Sequence, residues 1–311
     1  GMFSFFNAGS GSNQSNHLLK SGPVHQGIHQ RGCKYGSDAY MMLPALDGAF
    51  TTVIGRHKSH PDTECFPFSL LIEQEGQSWL LPGSNLATAG ATRDIAKWPQ
   101  RDRRDSHAGD LIRFEECNPY IGERIAAAVA LSEELLAKEP GDVCTCKRLR
   151  IRTAMLRRGL RLYRLAQEKY LGAMLSADTV PDAGGQGRWV DAGGTYLPLG
   201  AMDDILDRID AGTLATVAEV CGALREAHDN YHAYAAGWAL GRLEELLGRR
   251  PSADDIAAAV DAGTAAAAKL AAMAADDLRS EQEPAMAVGY GLDTDDEEVR
   301  MADFRTVRGI R

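Results

Sequence analysis

The feature that most constrains this chain is a change of character at Pro119. Before it, apolar residues come in short runs cut by proline and glycine. After it, they recur at helical spacing over long stretches. Residues 39–43 and 49–54 are short apolar or β-branched runs, and 68–72 and 78–81 flank Glu73-Gln74-Glu75-Gly76, which has the composition of a hairpin turn. A short helix is expected before Pro99. Helices are expected over 121–138, 143–175, 202–209, 213–247 and 252–278, with an extended, glycine-rich excursion at 180–200. Ser252 followed by Asp255 approximates a capping box. Alanines with Gly237 and Gly241 suggest that the last two helices form a close antiparallel hairpin.

This pattern predicts an α+β chain in which a small β-containing N-terminal part packs on a larger helical bundle. The expected divisions are an arm at 1–35, flexible or clasping a second subunit; a small α+β part at 36–119; a bundle at 120–283; and an acidic-then-basic tail at 284–311. No period of 20–50 residues recurs, so a solenoid is not expected.

Composition bounds the function more loosely. With 44% hydrophobic and 25% charged residues the chain can bury its own core, and a net charge of −9 argues against a general nucleic-acid coat. Gly1 before Met2 reads as an expression remnant, and the residues that follow lack the basic lead of a secretory signal. The most apolar tract, 256–278, is broken by Asp261 and Lys269, so no membrane span is expected. Cys33, Cys65, Cys117, Cys144, Cys146 and Cys221 have no framework spacing, which suits a reducing compartment and a cytoplasmic location. Cys144 and Cys146 lack the second pair that zinc would need.

Three segments carry candidate chemistry. His228 and His232 are four apart on the expected helix 213–247, leaning towards its apolar stripe. They suit either a packed core or half a metal site, with His57, His60 or His107 as further ligands. The core reading is preferred, and no cofactor is expected. The loop 101–110 gathers three Asp, three Arg, Ser106 and His107, and Asp105 or Asp110 could orient His107 as a general base. The strongest signal is 147–169, with nine Lys/Arg and one acid, Glu168. Read as an amphipathic helix, it presents Arg157, Arg158, Arg161 and Arg164 on one arc. That arc would dock an anionic protein or nucleic acid, unless Asp203, Asp204 and Asp207 or the acids at 293–298 neutralise it within the fold.

No complete catalytic motif is present. The leading expectation is therefore a soluble helical interaction or assembly protein, with homo-oligomerisation through the arm. The second is a hydrolase-like enzyme, metal-assisted if the histidines converge.

Overall fold

The computed structural model describes residues 1–13, 26–104, 110–138, 141–175, 184–281, 283–291 and 294–308. The described residues open with eight short strands: Phe5–Phe6 (β1), Gly11–Asn13 (β2), Gly27–His29 (β3), Lys34–Tyr35 (β4), Tyr40–Met42 (β5), Ala45–Asp47 (β6), Thr52–Ile54 (β7) and Arg56–His57 (β8). They pair in parallel as β1-β4-β7, β2-β5-β8 and β3-β6. The chain thus visits three faces in turn and winds into a three-sided coil, with rungs 18 residues apart where Lys34 pairs with Thr52 and Gly27 with Ala45. This is a solenoid, contrary to the sequence expectation. Its period is shorter than the window searched. The repeat is also irregular: Phe5 pairs with Lys34, 29 positions on, and Tyr40 with Arg56, 16 on.

Stacked rungs explain which residues go inside. Tyr35, Val53 and Leu71 form one fully buried ladder; Cys33, Thr51 and Ser69 form another. At the corner beside them Gly32, Phe50 and Phe68 take φ of 71°, 58° and 56°. A left-handed phenylalanine costs about 1–2 kcal/mol. Here the Phe50 ring recovers part of it by stacking on Phe68, with centroids 4.7 Å apart. A methyl on Gly32 would come within 2.3 Å of the Phe50 ring, so glycine is required at that step. Residues 1–35, expected as an arm, supply the first rung and part of the second.

The strand Leu70–Gln74 (β9) continues the first face and turns back as Gln77–Leu81 (β10), so the hairpin expected at Glu73–Gly76 forms. After Ala89–Arg101 (α1) and Pro119–Lys138 (α2), Val143–Cys146 (β11) and Leu149–Arg152 (β12) add a second hairpin to give a seven-stranded mixed sheet. Pro99 lies inside the end of α1, and Thr88 caps its start by accepting the Ala91 amide.

The helices build around Thr153–Met174 (α3). The chain continues through the hairpin Trp189–Ala192 (β13) and Thr195–Pro198 (β14). It then forms Leu199–Asp210 (α4), Val217–Asp229 (α5), Tyr231–Leu247 (α6), Ala253–Ser280 (α7) and Glu297–Arg308 (α8). The architecture is α+β, as the sequence predicts.

Packing corrects the expected helical hairpin. α7 lies along α3, not α6, and the close approach is between Gly172 and Gly263, where a Cβ on either would meet the other's Cα at 2.7 Å. Gly237 instead accommodates the backbone of Gly184. By length and composition α7 could cross a membrane, and it buries Gly263, Ala266, Leu270 and Ala274 against the fold. Ser252 and Asp255 complete the expected capping box, and Thr216 with Glu219 forms a second that caps α5.

One continuous core runs from Cys33 in the coil to Leu270 in α7. Arg31 fastens the coil to the β13–β14 hairpin. Its guanidinium grips the Asp191 carboxylate at 2.9 and 3.0 Å, donates to the carbonyls of Arg113 and Gly194, and lies over the Tyr196 ring. Burial opposes its charge, but the Asp191 bond and the nearby carboxylate outweigh it and hold the pKa up.

Candidate functional site

The basic stretch 147–169 is not one helix. Its start is the tip and second strand of the β11–β12 hairpin, turned by Lys147 and Arg148 at φ of 47° and 66°. Only from Thr153 is it helical. The alternation Leu149-Arg150-Ile151-Arg152 explains this: Leu149 and Ile151 are fully buried while both arginines face out, a period of two that the helical reading overrode.

The outward face of the sheet carries a row in register. Ile54 pairs with Ile72, Ile72 with Trp79, Trp79 with Arg150 and Arg150 with Thr145. The Arg150 and Arg152 guanidiniums lie 4.7 and 5.3 Å from the Trp79 ring, within cation–π range. Neither pairs with a carboxylate among the described residues, and no position on this face of β7, β9, β10, β11 and β12 is acidic. Ile54 is half exposed.

Arg157, Arg158, Arg161 and Arg164 are all exposed along α3. Arg164 pairs with Glu133 at 2.7 Å; the other three form no ion pair among the described residues. The expected neutralisation by α4 does not occur. That helix packs on β13, β14 and α5, and its Asp204 pairs with its own Arg208. Arg158 and Arg161 instead wall a groove of about 540 Å³ whose floor includes Leu162, Leu165 and Met273, with Asp276 and Asp277 opposite.

The histidines of the central segment do not share a helix face. α5 ends at Asp229, Asn230 bonds back to the Glu226 carbonyl through both its backbone and its side chain, and α6 starts at Tyr231. His228, half-buried, bonds Thr195 Oγ1 through Nδ1 at 3.1 Å, whereas His232 is exposed against the Tyr231 ring. Burial, and then the Arg113 charge, lower the His228 pKa. Trp238 is buried, as expected. His57 is buried: Nε2 donates to the Ile54 carbonyl, so Nδ1 accepts from Ser78 Oγ. Among the described residues no three His, Cys, Asp or Glu gather as a metal would need, so the composite histidine site does not form there.

In the loop 101–110, Asp105, Ser106 and His107 lie outside the described residues. Asp110 bonds Arg104 at 3.2 Å, and Arg104 also holds the Asp102 carboxyl, lowering it to about 2.

The sequence reading missed one cluster at the first rung of the coil. His29 and Asp47 are register partners on β3 and β6, and His29 Nδ1 lies 2.5 Å from Asp47 Oδ2. Tyr35 donates its hydroxyl to the same oxygen at 2.5 Å and lies 2.9 Å from His29 Nδ1. Asp47 is fully buried, and its Oδ1 has no hydrogen-bond partner among the described residues. Burial and the Asp47 charge push the Tyr35 hydroxyl far above its usual range, which fixes it as a donor. His29 is only part-buried, and its Nε2 bonds to none of the described residues. The available signal was the 18-residue interval between His29 and Asp47, meaningful only once the rung length is known.

Residues 1–136 match the model of a domain of unknown function (DUF4954), and residues 169–310 match that of another (DUF6819). No curated protein and no solved structure matches the chain. Arg31 lies in the first matched region and Asp191 in the second, so their ion pair joins the two.

Proposed function

We propose that the chain is an interaction protein that docks an anionic partner on its arginine-rich stretch. The observation that carries this reading is the unmatched charge on α3. Arg157, Arg158 and Arg161 are exposed and form no ion pair among the described residues, on a protein whose net charge is −9. Cations left unpaired on an acidic molecule are free to meet an external anion, and they raise its encounter rate. The adjoining groove adds an apolar floor to the contact. The test is binding of heparin, a generic polyanion, by the parent and by a variant with Arg157, Arg158, Arg161 and Arg164 all changed to Gln. Binding should weaken steeply with salt in the parent and be lost in the variant. Equal binding by both would reject the reading.

A second reading, an acid–base enzyme, is favoured by His29. A buried carboxylate on Nδ1 selects the tautomer whose Nε2 lone pair is free, and it would stabilise the imidazolium formed when Nε2 takes a proton. The substrate group would be a hydroxyl, amine or water approaching Nε2. Hydrolysis of an activated ester is the simplest probe, and His29→Asn should lower its rate by about 10²–10⁴-fold if His29 is the base. An unchanged rate would dismiss it.

A further inference from the structure

We infer that the outward face of the seven-stranded sheet is a platform for single-stranded nucleic acid, centred on Trp79 between Arg150 and Arg152. This rests on the docking reading for the sign of the partner's charge, but it names a different surface and a specific chemistry.

Each component of the row fits that ligand. Trp79 and the two guanidiniums over it form a flat aromatic and guanidinium stack, and bases of any identity can stack on such planes. Arg150 and Arg152 lie over the indole, and stacking leaves the N–H edges of a guanidinium available for bidentate contact with phosphate. Ile72 and the half-exposed Ile54 continue the row as apolar surface for a second base or a sugar. The strand positions on this face of β7, β9, β10, β11 and β12 carry no acid, which spares an anionic backbone laid across them that repulsion; Asp94, ion-paired with Lys34, lies beyond them at β4.

The geometry selects a single strand over other anions. The row from Ile54 to Thr145 crosses five strands at about 4.8 Å each, a span of roughly 19 Å with room for two or three nucleotides laid across them. Bases in a duplex are already stacked and paired, so they cannot use the ring. An acidic peptide would satisfy the guanidiniums but leave Trp79, Ile72 and Ile54 without a partner.

The experiment measures fluorescence anisotropy of a labelled oligouridine of about ten nucleotides, a site size within the range such platforms cover. The full chain is compared with Trp79→Leu, Trp79→Phe and the double variant Arg150→Gln/Arg152→Gln, each checked for folding by circular dichroism. Heparin and poly-glutamate serve as anions without bases. We expect oligouridine binding that weakens with salt, a loss of roughly tenfold or more in Trp79→Leu, near-parent affinity in Trp79→Phe, and loss of binding in the arginine pair. Heparin binding through α3 should survive Trp79→Leu. Failure to bind oligouridine overturns the inference, as does an affinity that the ring and the two arginines do not affect. If heparin still binds through α3 in that case, the docking reading stands and only the platform falls. If Trp79→Leu does not fold, the arginine pair decides: undiminished oligouridine binding in that variant overturns the platform, and lost binding with heparin binding retained supports it.

Discussion

Arg31 and Asp191 are 160 residues apart in the chain and share two hydrogen bonds, of 2.9 and 3.0 Å, with the arginine almost fully buried. Removing either partner leaves the other charge in the interior, a change that typically costs about 3–5 kcal/mol. Arg31→Met and Asp191→Asn should each lower the denaturant midpoint strongly. The double variant Arg31→Met/Asp191→Asn should recover part of the loss, because no lone charge remains. A double variant as unstable as the sum of the singles would show that the two act independently.

At the corner position Gly32 the Phe50 ring leaves no room for a side chain. Gly32→Ala combines a left-handed backbone with overpacking, and we expect destabilisation of about 2–4 kcal/mol by urea unfolding. Alanine at Gly76, also at positive φ but facing open space, should cost only about 1–2 kcal/mol. Equal losses at the two sites would mean that the Phe50 contact carries no weight.

His57 gives the stability a pH dependence of known sign. Burial lowers its pKa in the folded protein below the ordinary value of 6.5, so the unfolded chain binds the proton first. Its stabilising contribution is complete above that value and is lost as the pH falls through the lowered one. Protonation would also oppose the Ser78 hydroxyl, which donates to Nδ1. Melting temperature should drop on acidification below about pH 6.5, and the drop should be shallower in His57→Gln. Identical pH profiles in the two proteins would refute the assignment. His228, lowered in the same direction, contributes in the same window and is unaffected by that substitution.

The α3 arginines should matter little to folding. Among the described residues only Arg164 of the four has a carboxylate partner, and both members of that pair are about half exposed. Changing all four arginines to Gln should alter unfolding free energy by no more than about 1 kcal/mol. A collapse of the melt would show that they carry structural weight, contrary to their exposure.

The sequence made the α+β class legible because proline and glycine punctuate the first third and alanine-rich periodicity fills much of the rest. Local signals held where physics is local: the Glu73–Gly76 turn and the Ser252–Asp255 box both form. Legibility failed where two periods competed. Arg150 fits a helical wheel with Arg157 and Arg161, yet burial of Leu149 and Ile151 on alternate positions makes that segment a strand. His228 and His232 failed for a smaller reason, a single helix break at Asn230. The His29–Asp47 contact was illegible in a deeper sense, since neither neighbour in sequence points to the other. Only the winding of the coil brings them together.

The irregular winding has its own consequence. Between β2 and β3 the chain holds residues 14–26, yet β2 still pairs with β5 and β3 with β6. The sequence interval between these two strands is longer than that between β5 and β6, yet the strands keep their pairings, so the amount of sequence joining two faces is decoupled from the ladder itself. Such a joint is a natural grafting point: peptides of differing length could be spliced into it, next to His29, without renumbering a single backbone hydrogen bond below.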